Sequence, residues 1–336
     1  MNFVAHFLLI GGFSIITSEA ICAEDVLIDI QEYFDTGADL GTLRGCRLRL
    51  LEGKMLGKTS FSVVWQGVYR DDIPVAVKIV WNEKILKRET KIFATLNATK
   101  NYDIERNGIP RIYYAGPILR DYNAIAMTLF DGTLEDYYQQ HKSSKKLPDS
   151  KILEIFSQTV KILKYLNEMG VVHNDIKPEN IFMKYLSVTD DTTKFYISDF
   201  NIATLNGQQN QAGTLKFASA NFFSFVFKKN RYPMDDLESL AYSMWRVSGI
   251  PLGEWTWLFG VGLPEGFLLS RCADKKDATE RILNKLSNIE NSAVREVFEF
   301  ICIDEMLSCK PVPDYDRIII ELNEAIAEVA NPTWSQ

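Results

Sequence analysis

Strand-like alternation gives way to helical spacing about a third of the way along the chain. The stretch "LRLLEGKMLGKTSFSVVWQGVYRDDIPVAVKIV", Leu48 to Val80, carries β-branched and aromatic runs broken by glycines and by "RDDIP", which predicts three consecutive antiparallel strands joined by turns. In "NEKILKRETKIFATLN" Ile85, Glu89, Ile92, Phe93 and Leu96 fall at helical spacing, so one helix follows beside a small sheet. "GIPRIYYAGPI" and "DYNAIAMTLF" read as two more strands. Helical patterns then dominate, in "TLEDYYQQ", "SKILEIFSQTVKILKYLNEMG", "DDLESLAYSMWRVSG" and "SAVREVFEFICIDEML". A strand-rich first part and a helix-rich remainder predict an α+β chain of two lobes with a cleft near Met127 to Gly132.

The residues ahead of the first strand follow another pattern. "MNFVAHFLLIGGFSIITSEAICAED" holds an apolar run from Phe7 to Ile16, then small residues at Ser18, Ala20 and Ala23, which predicts a secretory signal peptide over residues 1–23. The run is too short for a spanning helix, which takes about 18 or more apolar residues. No Lys or Arg precedes it, so a buried amino-terminal segment or an uncleaved anchor stay open as alternatives. Residues 24–48 show no clear period and read as an extension packed on the next domain.

Composition narrows the function. At 336 residues and 46% hydrophobic content the chain can bury a large core, which argues against disorder. A net charge of -7 argues against a nucleic-acid partner and fits a basic substrate or a small molecule better. Cys22 adjoins the expected cleavage point. Cys46, Cys272, Cys302 and Cys309 are too widely spaced for a zinc site or a disulfide-dense scaffold, leaving disulfides in an oxidising compartment or buried thiols. The triplet Asn97 to Thr99 is a glycosylation acceptor only if the chain enters the secretory pathway.

The chemistry concentrates in "VVHNDIKPEN", Val171 to Asn180. Its His-x-Asp-x-Lys-x-x-Asn spacing resembles the catalytic loop of protein kinases, and four such identities arise by chance in roughly one chain of this length in five hundred. The resemblance implies that Asp175 orients a substrate hydroxyl and accepts its proton, that Lys177 steadies the transferred phosphate, and that Asn180 binds a metal ion. Other pieces agree with it. "VAVK" resembles the strand motif whose lysine, Lys78, contacts the nucleotide phosphates, and Glu89 is placed on the next helix to pair with it. "YISDFNIA" supplies Asp199 as a Mg²⁺ ligand with Phe200 packing below. Asn201 stands there in place of a glycine, and asparagine tolerates the left-handed backbone that a glycine would provide. "GKTSFSVV" resembles the glycine-rich phosphate loop only at Gly57 and Val64; Thr59 and Ser62 occupy glycine positions, and alone the segment reads as a hairpin turn.

"GIPRIYYAG", "LFDGTLEDYY", "GTLKFASAN", "DDLESLAY" and "PDYDRIIIEL" further resemble casein kinase 1 and its tau-tubulin and vaccinia-related kinase relatives, over about residues 49–325. That resemblance implies a bilobal fold with a small-sheet N-lobe over about 49–130, a helical C-lobe over about 131–325, and a tail of residues 326–336. It also implies ATP with Mg²⁺ and transfer to serine or threonine of protein substrates. Leu56, Gly57, Val64 and Ala76 would line the nucleotide, with Met127 at the back, Leu129 in a hinge from Thr128 to Phe130, and Phe182 as the floor. Asp236 would brace the catalytic loop, although Ala241 replaces a family glycine, and Lys216 would help bind an anion near the substrate.

Asn174 departs most clearly from that family. An arginine at its position often grips a phosphate on the activation segment, which an asparagine cannot do, so activity independent of such a phosphate is expected. With Thr59, Ser62, Asn174 and Asn201 as departures, a pseudokinase acting as a binding or scaffolding protein is the alternative to an active enzyme; "KPEN" and "GTLKFASAN" disfavour a small-molecule kinase. No nucleic-acid partner is expected, and no membrane association unless the leader stays as an anchor. The leader points to the secretory pathway, whereas casein kinase relatives are cytoplasmic or nuclear.

Overall fold

The computed structural model describes residues 23–36, 48–59, 61–70, 72–98, 103–118, 122–141, 146–187, 192–210, 212–219, 221–222, 230–250, 275–308 and 310–331. The chain enters as a helix, α1 (Ala23–Thr36), and continues into strands β1 (Leu48–Lys58), β2 (Ser62–Tyr69) and β3 (Ile73–Val80), helix α2 (Glu83–Leu96), and strands β4 (Ile112–Pro117) and β5 (Asn123–Thr128). These five strands form one antiparallel sheet in the order β1-β2-β3-β5-β4.

Because strand side chains alternate, the sheet has two faces of different use. Val63, Trp65, Val75, Val77, Ile79, Ala124 and Ala126 pack in one apolar cluster with Val26, Ile30 and Tyr33 of α1. Val64, Ala76, Lys78 and Met127 occupy the alternate positions, in register across β2, β3 and β5, and therefore share the other face. Gly67 allows β1 to close on this sheet, since a Cβ there would sit 2.7 Å from the Arg49 carbonyl oxygen.

The helix α1 was not foreseen. Its buried positions Val26, Ile30 and Tyr33 follow an i, i+4, i+7 stripe, but Leu27, Ile28 and Phe34 stand beside them, so the period is blurred in the sequence. Asp29 accepts a hydrogen bond from the Tyr122 hydroxyl just ahead of β5, which fastens the helix at its middle. Residues 1–22 of the expected leader, Cys22, Cys46, Cys272, Cys309 and Thr99 of the glycosylation triplet lie outside the described residues. Cys302 is a buried free thiol, pushed up in pKa by burial.

The second lobe is built on helices. Strand β6 (Gly132–Thr133) leads into α3 (Leu134–Gln140) and α4 (Asp149–Glu168), then β7 (Val171–Val172), β8 (Ile181–Ser187), β9 (Thr192–Ile197), β10 (Thr204–Leu205), α5 (Pro233–Val247), α6 (Lys275–Leu286), α7 (Ser292–Glu299) and α8 (Tyr315–Ala330). Helix α4 is buried on most of its circumference, from Ile152 to Leu166, and packs on α5 and α8. The helix expected from "SAVREVFEFICIDEML" forms as α7 running into a π-helical segment, Phe300–Glu305. Helix α8 holds Tyr315, Ile318, Leu322 and Ala325 in the core and continues to Ala330. Among the described residues no helix is long and apolar enough to cross a membrane.

The two-lobed α+β arrangement is therefore present, an antiparallel sheet with its helices joined at β5–β6 to a helical body. If α1 is an integral part of the first lobe, Ile30→Ala lowers its unfolding free energy by about 2–4 kcal/mol. Ile28→Ala, at a position 67% exposed, changes it by less than about 0.5 kcal/mol. Urea unfolding of both variants checks this.

Candidate active site

The run "VVHNDIKPEN" begins as β7, ends as a 3-10 turn, Pro178–Asn180, and is clamped from below. Asp236, in the first turn of α5, accepts the backbone N–H of His173 at 2.6 Å and that of Asn174 at 2.8 Å through its two oxygens. Burial pushes its carboxyl up to about 7, against the pull of those donors and of Arg231. Burial also pushes the His173 imidazole below its ordinary range, so the ring is neutral. The Nε2 of His173 faces the Ser198 carbonyl at 3.0 Å while Nδ1 accepts the Asp175 N–H at 3.3 Å, which selects the Nε2–H tautomer.

Asp175 then sits with both oxygens engaged. Oδ1 accepts the N–H of Thr214 at 2.9 Å and its hydroxyl at 2.6 Å. Oδ2 accepts from Lys177 Nζ at 2.7 Å and from Asn180 Nδ2 at 3.1 Å. The Lys177 ammonium also reaches the Thr214 hydroxyl at 2.8 Å. Asn180 Nδ2 donates to the Asp175 carbonyl as well, at 2.9 Å, so its amide nitrogen is committed and its carboxamide oxygen is the end left for a cation. Nothing in the sequence pattern around Thr214 marks it for this role. Its partners Asp175 and Lys177 lie 39 and 37 residues away, and only the fold joins them.

Across the cleft Lys78 lies buried on β3. Its Nζ is 2.9 Å from Glu89 Oε2 on α2 and 2.6 Å from Asp199 Oδ1. Burial opposes the ammonium charge, but Glu89 and Asp199 together hold Lys78 protonated above its ordinary range. Burial likewise works against the Asp199 carboxylate, and Lys78 brings it below the usual range. Burial pushes the Glu89 carboxyl up, with Lys78 pulling it back. Phe200, fully buried, meets Phe93 of α2 edge-on at 5.2 Å and His173 at 4.8 Å, so the residue after Asp199 joins the two halves of the site.

The left-handed backbone expected at Asn201 is found instead at Asp199, with φ 69°. Asn201 lies within a 3-10 turn, Phe200–Ile202, so its side chain has no special backbone to accommodate. Asn174 is left-handed too, at φ 70°, a conformation that asparagine enters with little strain.

Between these groups runs the cleft face of the sheet, with Val64 and Ala76 half-buried and Met127 buried at the back. Leu129 is half-buried just after β5, and Phe182 of β8 stacks on Phe130 at 5.1 Å. Leu56 and Gly57 lie at the outer end of β1, Leu56 being exposed. Lys216 is exposed beside Phe217. The Thr59 hydroxyl accepts the N–H of Phe61 at 3.2 Å and of Ser62 at 3.0 Å, and it contacts the Ser62 hydroxyl at 2.9 Å. The two residues standing at glycine positions thus cross-link the β1–β2 turn to itself. The carboxylate of Asp199 and the carboxamide oxygen of Asn180 are hard ligands suited to Mg²⁺, with Lys78 beside them as a fixed cation for phosphate.

Two comparisons bear on this geometry. A model of the protein kinase domain matches residues 50–232, which span every group just described up to the start of α5. The chain is also 31% identical, over 232 residues, to the "Probable serine/threonine-protein kinase FPV226" of Fowlpox virus (strain NVSL), a match covering 65% of this chain and 73% of that protein.

Replacing Lys78 by Met leaves Glu89 and Asp199 facing each other without a cation, a loss of about 3 kcal/mol or more in unfolding free energy near pH 7. At least one carboxyl is then held above its unfolded pKa, and the folded state binds more protons than the unfolded one. The deficit against wild type therefore shrinks as the pH falls toward about 5. Urea unfolding at both pH values measures it.

Proposed function

The chain belongs to the protein kinase family, and on that footing we propose that it is a catalytically active serine/threonine kinase of the casein kinase 1 group, acting on protein substrates. The observation that carries the proposal is the convergence of Asp175, Lys177, Asn180 and Thr214 on one wall of the cleft with the Lys78–Glu89–Asp199 cluster on the other. ATP with Mg²⁺, when bound, supplies the activated phosphoryl group and neutralises its charge. Lys78 holds the nucleotide phosphates, and Glu89 keeps its ammonium aimed from behind. Asn180 and Asp199 hold the metal. Thr214 fixes one oxygen of Asp175 with two donors, which prevents the carboxylate from turning. The other oxygen accepts from Lys177 and Asn180, and there a substrate hydroxyl can approach and give up its proton.

The serine/threonine assignment is supported by Lys177 and by the fowlpox relative's printed name. The casein kinase 1 grouping is supported by the Ser-x-Asn ending of the segment: the Ser219 hydroxyl donates to Asp235 at 2.8 Å and Asn221 Nδ2 donates to the same carboxylate at 3.1 Å. One carboxylate at the start of α5 thereby reads both residues of the motif.

A binding or scaffolding role without catalysis is the second reading, and Thr59 favours it. Its hydroxyl occupies N–H groups of the β1–β2 turn that a phosphate-cradling loop would turn toward the nucleotide. The triad and the Asp175 wall outweigh this, since charge stabilisation and alignment supply most of phosphoryl-transfer catalysis.

Transfer of radiolabelled phosphate from Mg·ATP to casein tests the proposal. The wild type labels casein, and Asp175→Asn lowers the rate about a hundredfold to ten-thousandfold while nucleotide binding persists. No transfer by the wild type overturns the active reading. Thr59→Val, which removes a competing hydrogen bond of about 1 kcal/mol, tightens Mg·ATP binding about fivefold by calorimetry. Unchanged affinity would mean that the loop amides take no part.

A further inference from the structure

We propose that Arg231 is a positioning residue that fastens the catalytic loop to the segment after Asp199 without any phosphate, through a buried hydrogen bond to Asn174. The inference rests on the reading of the chain as an active kinase, and it assigns to a specific side chain the ordering role that a phosphate would otherwise fill.

Arg231 stands just before α5 and is 1% exposed. A guanidinium buried to that degree is costly unless its donors and charge are met. Its Nε–H donates to Asn174 Oδ1 at 3.0 Å, Nη1 approaches the Ser219 hydroxyl at 3.4 Å, and the guanidinium carbon lies 5.6 Å from the centre of the Phe222 ring. The Arg231 backbone is tied to the same segment, donating its N–H to the Gln208 carbonyl at 2.9 Å and accepting from the Gly207 N–H at 3.0 Å. One residue therefore touches the catalytic loop, the middle of the segment and its end.

Asn174 completes the connection. It is 4% exposed, and because arginine only donates, its carboxamide oxygen must face Arg231. The amide nitrogen is thereby directed at the Ile202 carbonyl at 3.1 Å and the Thr204 hydroxyl at 3.0 Å, with the Val172 carbonyl at 3.3 Å. The fit extends to the backbone: a Cβ on Gly213 would lie 3.0 Å from the Asn174 carbonyl oxygen. An arginine at position 174 would bring a second guanidinium against Arg231 in a buried space. The arginine-to-phosphate device and the Arg231 lock are thus alternatives.

The hydroxyls of the segment point the same way. Between Asp199 and Asn221 the sequence holds Thr204, Thr214 and Ser219 and no tyrosine. Thr204 accepts from Asn174, Thr214 holds Asp175, and Ser219 is fully buried on Asp235. Each has a partner in the fold, Thr204 and Thr214 being half-buried. Because Asn174 directly precedes Asp175, loosening the lock displaces the carboxylate that Thr214 and Lys177 align.

The test compares wild type, Arg231→Met, Arg231→Lys and Asn174→Ala, at a temperature where each is folded by near-ultraviolet circular dichroism. We expect Arg231→Met and Asn174→Ala to lower kcat by about tenfold to a hundredfold with KM for ATP little changed. Arg231→Lys, which keeps the charge, should recover part of the loss. The double variant Arg231→Met with Asn174→Ala should lose less than the product of the two single losses, since the Arg231–Asn174 bond is common to both. Amide hydrogen exchange over residues 173–175 and 203–222 should rise in the same variants, and phosphatase treatment of the wild type should leave its rate unaltered. If the wild type transfers phosphate and Arg231→Met matches it in kcat and exchange, or if phosphatase abolishes the wild-type rate, the lock is overturned. If the wild type transfers nothing, the active-kinase reading fails, and the exchange data still decide the lock: raised exchange sustains it and unchanged exchange overturns it. Should Arg231→Met not fold, Arg231→Lys and Asn174→Ala carry the same comparison.

Discussion

One buried ammonium, Lys78 Nζ, sits between two carboxylates that reach it from different parts of the chain, Glu89 on α2 and Asp199 beyond β9. Two acidic groups facing one ammonium leave the cluster one cation short. The arrangement is stable because the ion pairs are short and because Phe200 seals its lower side against Phe93 and His173. The same deficit makes the site receptive to a further cation. Asp199 has one oxygen on Lys78, so the second can take a metal without dismantling the pair. The position of α2, the turn of backbone at Asp199 and the electrostatics of the cleft all depend on this cluster.

Asp236 plays the matching part under the other wall. It is nearly fully buried and accepts two consecutive backbone N–H groups, which fixes the peptide planes of His173 and Asn174 and so the direction in which Asp175 leaves the backbone. His173 then passes that constraint to the Ser198 carbonyl, one residue ahead of Asp199. A backbone strained at Asp199 and held left-handed at Asn174 persists because hydrogen bonds on both sides over-determine it.

What could be read from the sequence divides along physical lines. The five strands were legible because runs of β-branched and aromatic residues are broken by glycines and turn residues, and the Lys78–Glu89 pair because a strand and the next helix bring them only 11 residues apart. The loop chemistry was legible because its identities are packed into one short run. The helix α1 was faint because Leu27, Ile28 and Phe34 stand beside its buried stripe and blur the helical period. Thr214 and Arg231 were invisible for a different reason: their partners lie 39 and 57 residues away, and nothing in a Thr or an Arg announces which distant carboxylate or amide it will meet. The exchange of roles between Asn201 and Asp199 belongs with these, since which residue of a tight turn takes positive φ is decided by the contacts around it.

Asn174 draws these threads together. Read in isolation, it is the absence of an arginine, and absence suggests loss. In the fold its carboxamide has an acceptor and a donor end that are both used, which an arginine, having no acceptor, could not reproduce. A charge-to-phosphate contact orders a segment only while the phosphate is present, and it is sensitive to salt and to phosphatases. A packed contact between a buried guanidinium and an amide is independent of both, and it cannot be released without opening the core around it. Under the Arg231 lock the substitution exchanges a switch for a fixture: the stretch that presents Thr214 to Asp175 is ordered by folding itself.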